Sequence, residues 1–340
     1  MASAGRGVRA AVRADLALLL VHLAAVLGLA TSACTRDPAP GDDAETAAAQ
    51  GSSTALASAS APPSSPPSSS SPAAVAAPLL SDVATSAAPT TEVARGLWIW
   101  ELGVNGPPAE RAAELAATWG VRRVFLKSGN GATRGRWARN FSAQNRAPFV
   151  RRGIEVWAFA YVYGEGVADA DGRTWGSVDA QIAAVSETLA GDDVAGLVVD
   201  AEMELVGRPD DARRFCAGFR ARLGAGQKLA YTSFGWIQRW KDFPFEELDR
   251  GCGDAFLPQV YFAHGWPGGA EASLGRMREG IAARGLRAPV WPVQTNMPNP
   301  TPATLASFFA LAGPDASVFF LHGEDTEQTR RLGAIDWRSQ

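Results

Sequence analysis

Histidine and cysteine are scarce in this chain of 340 residues, with three of each. His22, His264 and His322 do not form a zinc-ligand spacing, and Asp200, Glu202 and His322 lack any ligand motif. No metal and no other cofactor is therefore expected. No G-x-G-x-x-G or Walker loop follows the first strand-like segment, so the usual nucleotide-binding signature is missing. No Gly-x-Ser-x-Gly elbow surrounds Ser128 or Ser233, which argues against a serine hydrolase. Basic residues are not in excess either. The formal net charge is -3 and the pI near 5.7, so no nucleic-acid partner is expected.

The N-terminus reads as a targeting segment. Arg6, Arg9 and Arg13 precede Leu16 to Ala30, which is nearly all Leu, Ala and Val. Asp15 and His22 interrupt it and argue against a permanent span. Thr31-Ser32-Ala33-Cys34 follows and resembles the lipobox of bacterial lipoproteins. The expectation is a signal peptide over 1–33 and lipidation at Cys34, with attachment to a membrane of the cell envelope through that lipid. Thr35 is not the Asp that favours inner-membrane retention. Residues 34–93 read as a disordered tether. The run from Ala61 to Pro72 is Pro and Ser with no apolar periodicity, and cannot bury enough surface to offset its ordering entropy. Cys216 and Cys252 remain. In an exported protein they form one disulfide, or else they are two small buried thiols.

From Ala94 the composition changes. Tryptophan appears, and strand-like and helix-like segments alternate. Strands are expected at Leu97–Glu101, Val121–Lys127, Ile154–Tyr161, Ala195–Asp200, Lys228–Ser233, Ala255–Phe262, Pro289–Gln294 and Ser317–His322. Helices are expected at Ala109–Trp119, Ser177–Leu189, Asp210–Leu223, Ala270–Arg284 and Thr301–Ala312. Eight strands alternating with helices over 94–340 predict the α/β class and a (β/α)8 TIM barrel. An elaborated loop is expected between strands two and three, from Ser128 to Gly153.

Sites in such barrels lie at the carboxyl ends of the strands. Those ends carry Glu101, Lys127, Tyr161, Tyr163, Asp200, Glu202, Glu204, Tyr231, Thr232, Ser233, Gln259, Tyr261, His264, Gln294, Asn296, His322 and Glu324. Trp98, Trp100, Trp157, Trp175, Trp236, Trp266 and Trp291 add aromatic platforms. Aromatics stack on sugar faces and amides bind hydroxyls. The acids are the sharpest signal. Gly196-Leu-Val-Val-Asp200-Ala-Glu202-Met-Glu204 puts three carboxyls on alternate positions, expected on one side of a strand. Such crowding raises the pKa of at least one. Sugar hydrolysis needs one carboxyl that keeps its proton and one that stays ionised.

Four segments, in order, resemble glycoside hydrolase family 25 lysozymes. They are Val124-Phe-Leu-Lys-Ser-Gly-Asn-Gly131, Trp157-Ala-Phe-Ala-Tyr161, Leu197-Val-Val-Asp-Ala-Glu202 and Leu229-Ala-Tyr-Thr-Ser-Phe234. The resemblance implies muramidase-like action on cell-wall or other N-acetylated polysaccharide. It implies Glu202 as proton donor, Asp200 as stabiliser of the transition state, and a substrate N-acetyl group as internal nucleophile. Glu101 would stand for the family's strand-one acid, and Gln259 and Glu324 hold places comparable to its later acids. Lys127, Tyr161, Tyr231, Gln259, Tyr261, Gln294, Trp98 and Trp100 are the expected substrate contacts. The acids also resemble the Asp-x-Asp-x-Glu strand of family 18 chitinases, a register that makes Glu204 the donor. The other reading is a non-catalytic, glycan-binding lipoprotein with a degenerate barrel site.

Overall fold

The computed structural model describes residues 93–103, 106–168, 172–262, 268–295, 300–320 and 326–338. Cys34, the signal segment and all but the last residue of the tether lie outside the described residues, as do His264, Trp266, Asn296, His322 and Glu324.

Eight parallel strands close into a barrel in chain order: β1 (Gly96–Ile99), β2 (Arg123–Asn130), β3 (Glu155–Val162), β4 (Val194–Ala201), β5 (Lys228–Phe234), β6 (Phe256–Gln259), β7 (Val293–Gln294) and β8 (Ser317–Phe320). The helices are α1 (Ala109–Trp119), α2 (Arg136–Asn140), α3 (Ala143–Val150), α4 (Val178–Ser186), α5 (Pro209–Arg220), α6 (Phe245–Cys252), α7 (Gly269–Arg284), α8 (Pro302–Ala312) and α9 (Thr326–Gly333). The TIM barrel expected from the sequence is therefore the fold. The expected α1 bounds match, and Ser177 caps α4 by accepting from the Ala180 amide at 3.1 Å. The long β2–β3 connection is an insertion carrying α2 and α3. Helices α6 and α9 were not expected, and β7 has only two residues.

Alternation along each strand divides the apolar residues into two clusters. One lies between sheet and helices and includes Leu97, Val124, Val156, Leu197, Val199, Leu229, Tyr231 and Phe256. The other fills the barrel itself: Trp98, Phe125, Trp157, Phe159, Val198, Ala230, Ala255, Leu257, Trp291, Val293 and Phe319. The filling is lopsided. Large rings come from β1, β2, β3 and β8, with Trp291 just ahead of β7, while β4 and β5 supply the small side chains Val198 and Ala230. Trp98 stacks on Phe125 at 4.5 Å and Trp157 meets Trp291 edge-on at 5.5 Å. Gly196 makes room for this layer, since a Cβ there would lie 2.8 Å from the Trp157 ring and 2.3 Å from the Lys228 carbonyl. Three expected platforms, Trp98, Trp157 and Trp291, are thus barrel filling. Trp98 has no exposed surface and its indole N–H donates to Ser317 at 2.9 Å, which removes it from the substrate contacts.

Cys216 on α5 and Cys252 on α6 form a disulfide, which resolves the two sequence readings of this pair. Both are buried, and a Cβ on Gly251 would meet Cys216, so the two helices approach closely. The bridge closes a loop of 36 residues. Replacing both cysteines with alanine should cost about 3–4 kcal/mol by loop entropy, read as a lower urea midpoint under oxidising conditions that vanishes when both proteins carry reductant.

Candidate active site

The site stands on the last interior layer of the barrel. Register places Tyr161 beside Asp200 and Asp200 beside Thr232. Asp200 is the last interior-facing residue within β4. The strand ends at Ala201, and Glu202 follows with φ -131 and ψ -141. Met203–Leu205 is a 3-10 turn, so Glu204 does not continue the strand. The expectation of three acids on one strand face is corrected here: the turn brings the third. The Glu204 carboxylate nevertheless returns to the site, accepting from the Tyr161 hydroxyl at 2.5 Å.

Gln259 at the end of β6 ties the other two acids together. Its Nε2 donates to Glu202 Oε1 at 2.8 Å and approaches Asp200 Oδ1 at 3.4 Å. Asp200 is 4% exposed, whereas Glu202 is half-buried and closer to the opening. Burial, with the neighbouring acids, raises both. The Asp200 carboxyl is held well above its ordinary range, first by desolvation and then by Glu202. Glu202 is raised to about 7 by desolvation, against the donated Gln259 hydrogen bond, which favours its ionised form. Glu204 is raised by desolvation too, and the Tyr161 hydrogen bond opposes that. The Tyr161 and Tyr261 hydroxyls are pushed up by burial and by these carboxylates. The site therefore contains three carboxyls raised above their ordinary range, Glu202 to about 7, and two tyrosines that stay protonated.

Lys127 enters from β2. It is fully buried, and its ammonium has no hydrogen-bond partner among the described residues. Its Nζ lies 3.2 Å from the centroid of the Trp100 ring and 4.9 Å from that of Trp137. The insertion supplies this cover. Asn140 on α2 donates to the carbonyls of Lys127 at 2.7 Å and Trp100 at 3.3 Å, and accepts from the Leu102 amide at 2.7 Å. It thereby fixes the ends of β1 and β2 together. Trp137 and Arg136 carry no motif, and Asn140 stands out in the sequence only as the start of an Asn140-Phe-Ser142 glycosylation sequon; for this role, only the length of the β2–β3 connection points to them.

Several expected site residues lie elsewhere. Tyr231 points out of the barrel, stacked on Phe256 at 4.5 Å with its hydroxyl 3.4 Å from Asp249. Adjacent residues face opposite ways along β5, so with Thr232 next to Asp200 in register Tyr231 faces α6. Gln294 follows inward-facing Val293 and spends its amide on the backbone, donating to the Val260 carbonyl and accepting from the Thr295 amide. Neither reaches the mouth. Glu101 lies beyond β1 and pairs with Arg136 through both carboxylate oxygens. Trp175, half-buried, stacks on Tyr163 at 4.8 Å, and Tyr163 meets Tyr161 at 5.0 Å. This forms an aromatic ledge beside the acids. Arg208 and Arg213 do not pair with the acid cluster: Arg208 goes to Asp211, and Arg213 to Asp210 and Glu247, whereas Lys127 acts on Asp200 and Glu202 through its charge. Among the described residues, no group of three or more His, Cys, Asp or Glu could hold a metal.

No family model and no curated protein matches the chain. Among solved structures it is similar to an endo-β-N-acetylglucosaminidase from Cordyceps militaris, at 11% identity over 72% of this chain and 91% of that one, with a TM-score of 0.46. It is also similar to the spore cortex-lytic enzyme SleL of Bacillus cereus, at 13% identity over 60% of this chain and 51% of that one, TM-score 0.45. Pseudomonas stutzeri endoglucanase Cel5A gives 11% identity, 72% and 95% coverage, and a TM-score of 0.47. The chain defines its class by its own strand order, a (β/α)8 barrel. Its chemistry is read from its own side chains, because such barrels serve many reactions.

The raised Glu202 fixes a sign. A carboxyl with a folded pKa of about 7 against an ordinary 4.5 stabilises the fold fully below pH 4.5, and loses that contribution as pH rises through 7. Urea unfolding of Glu202→Gln should therefore be close to wild type at pH 5 and gain about 1 kcal/mol or more relative to it at pH 8.

Proposed function

We propose that this protein is a glycoside hydrolase acting on cell-wall or other N-acetylated polysaccharide, with Glu202 as the proton donor. The observation that carries the reading is the arrangement of Asp200 and Glu202. They are paired acids at the barrel mouth, joined through one Gln259 amide, with Glu202 the more open of the two. A donor must carry a proton near neutrality and reach the leaving-group oxygen. Glu202 meets both needs. Glu204 is the weaker candidate, since the Tyr161 hydroxyl already occupies its carboxylate and favours the ionised form.

In the proposed reaction Glu202 gives its proton to the glycosidic oxygen as that bond breaks. Positive charge then builds on the sugar carbon. The substrate's N-acetyl oxygen closes on that carbon, and Asp200, acting in the ionised form that Lys127 favours, steadies the charge that moves to the acetamido group. Glu202, now ionised, takes a proton from the incoming water as that water bonds to the sugar carbon and the bond from that carbon to the acetamido oxygen breaks. Tyr161 and Tyr261 stay protonated; Tyr161 spends its hydroxyl proton on Glu204, and Tyr261 faces Asp200 and Glu202. This is the family 25 or family 18 type of chemistry that the sequence motifs resemble, without a family 25 strand-one acid free to act.

The Glu101–Arg136 pair favours the second reading, a glycan-binding protein without turnover, because it neutralises the acid nearest β1. One assay separates the two. Wild-type protein should release reducing ends from peptidoglycan or chitin oligomers, and Glu202→Gln should lower the rate by about 10²-fold or more. Unchanged activity in Glu202→Gln removes the proposed role; binding without any release supports the second reading.

We also propose that the chain is exported and held at a membrane of the cell envelope by lipid on Cys34. The Arg6 to Cys34 pattern supports this, as does the disulfide, which persists in oxidising compartments. No described helix is long and apolar enough to cross a membrane. Labelled palmitate should be incorporated in a bacterial host and lost in Cys34→Ala, with the protein leaving the membrane fraction.

A further inference from the structure

We propose that Lys127 is a positioning residue for the acid pair: shut away from substrate by its aromatic cage, it supplies the positive charge that decides how firmly Asp200 and Glu202 hold their protons. Its kinetic consequence rests on the glycosidase reading; its electrostatic content does not.

The cage is the first observation. Trp100, Trp137, Phe159 and Tyr161 stand within 5.9 Å of Nζ by ring centroid, and the ammonium is buried. A sugar hydroxyl cannot reach it without displacing Trp100. The sequence places Lys127 among the substrate contacts; the packing gives it a different task. The second observation is the missing partner. A buried ammonium normally donates to a carboxylate or carbonyl, and this one has no hydrogen-bond partner among the described residues. Its compensation is cation–π contact and the field of nearby charge. The third is how it is held. Asn140 grips the Lys127 carbonyl, and β2 bulges between Lys127 and Gly129, so the side chain is aimed inward by the backbone.

The charges facing it come from every side of the mouth. Asp200 and Glu202 lie at the end of β4, Glu101 after β1 and Arg136 on α2. Tyr161 from β3 lines the cage, and its hydroxyl leads on to Glu204. Tyr261 after β6 faces the same two acids. Burial drives Lys127 down to about 7, and Asp200 and Glu202 pull it back up. The influence runs both ways, as it must for two titrating groups: Lys127 lowers Asp200 and Glu202. Burial and neighbouring carboxyls make both acids hold their protons more firmly than they would in water. The caged ammonium relieves this without occupying a substrate position.

The test is carboxyl-detected NMR titration of full-length protein with labelled Asp and Glu, for wild type, Lys127→Met and Lys127→Arg. Loss of the charge should raise the Glu202 midpoint by about one pH unit or more, and arginine should restore it. In the reciprocal arm, Glu202→Gln should lower the Lys127 midpoint, read from its ammonium signal. That arm needs no change at Lys127, so it stands if Lys127→Met fails to fold. Unmoved midpoints in a folded Lys127→Met, or an unmoved Lys127 in Glu202→Gln, would overturn the proposal. On a hydrolysed substrate, Lys127→Met should shift the whole pH–rate profile towards alkaline pH. A fall in height with no shift marks a structural role only and also counts against it. Absence of turnover in wild type instead counts against the glycosidase reading, and leaves the titrations to decide for Lys127.

Discussion

Desolvation of like charges governs the upper end of this barrel. Asp200, Glu202 and Lys127 sit where water is largely excluded, and burial is the first cause of the shift in each. In water the same groups would be two carboxylates and an ammonium of ordinary strength. Inside the mouth their charges cost energy to form, so each depends on the others. Much of the surrounding structure controls that dependence. Gln259 shares one amide between the acids, Tyr161 engages the third acid, and the insertion seals the lysine.

The core beneath makes this possible. Aromatic rings from β1, β2, β3 and β8, together with Trp291, fill the barrel beneath the acids. Val198 and Ala230 on β4 and β5 take little room in the same cluster. Stability and site share one device: the rings that bury the most apolar area also set the polarity of the floor on which the acids stand. The acids themselves sit at a cost to the fold, as groups selected for chemistry commonly do.

Much of this was legible in the sequence. Strands β3, β4 and β5 were read to within a residue or two at each end, because their apolar runs are long and bounded by turns. Asp200, Glu202, Gln259 and Tyr161 converge as their positions at strand ends suggested. Two of the misplaced residues share one source. Taking every polar or aromatic residue near a strand end as facing the mouth ignores parity, and Tyr231 and Gln294 fall on the odd side. Trp98 has the right parity but lies one layer too deep. Glu204 shows the reverse case: it leaves the strand pattern, yet a single 3-10 turn returns it. Trp137 and Asn140 were beyond reach, since their roles come from how an insertion folds back over β1 and β2, and no local periodicity encodes that.

The disulfide has a separate consequence. It joins the helix after β4 to the helix after β5, so the chain between them is a covalent ring holding β5. A protease that cut the exposed turn at 221–227 would open that ring without releasing either piece. The strand beside Asp200 would stay in register, held by its neighbours and by one sulfur bridge. For a protein proposed to work outside the cell, among other secreted enzymes, this stretch of the barrel can be nicked and still remain one molecule.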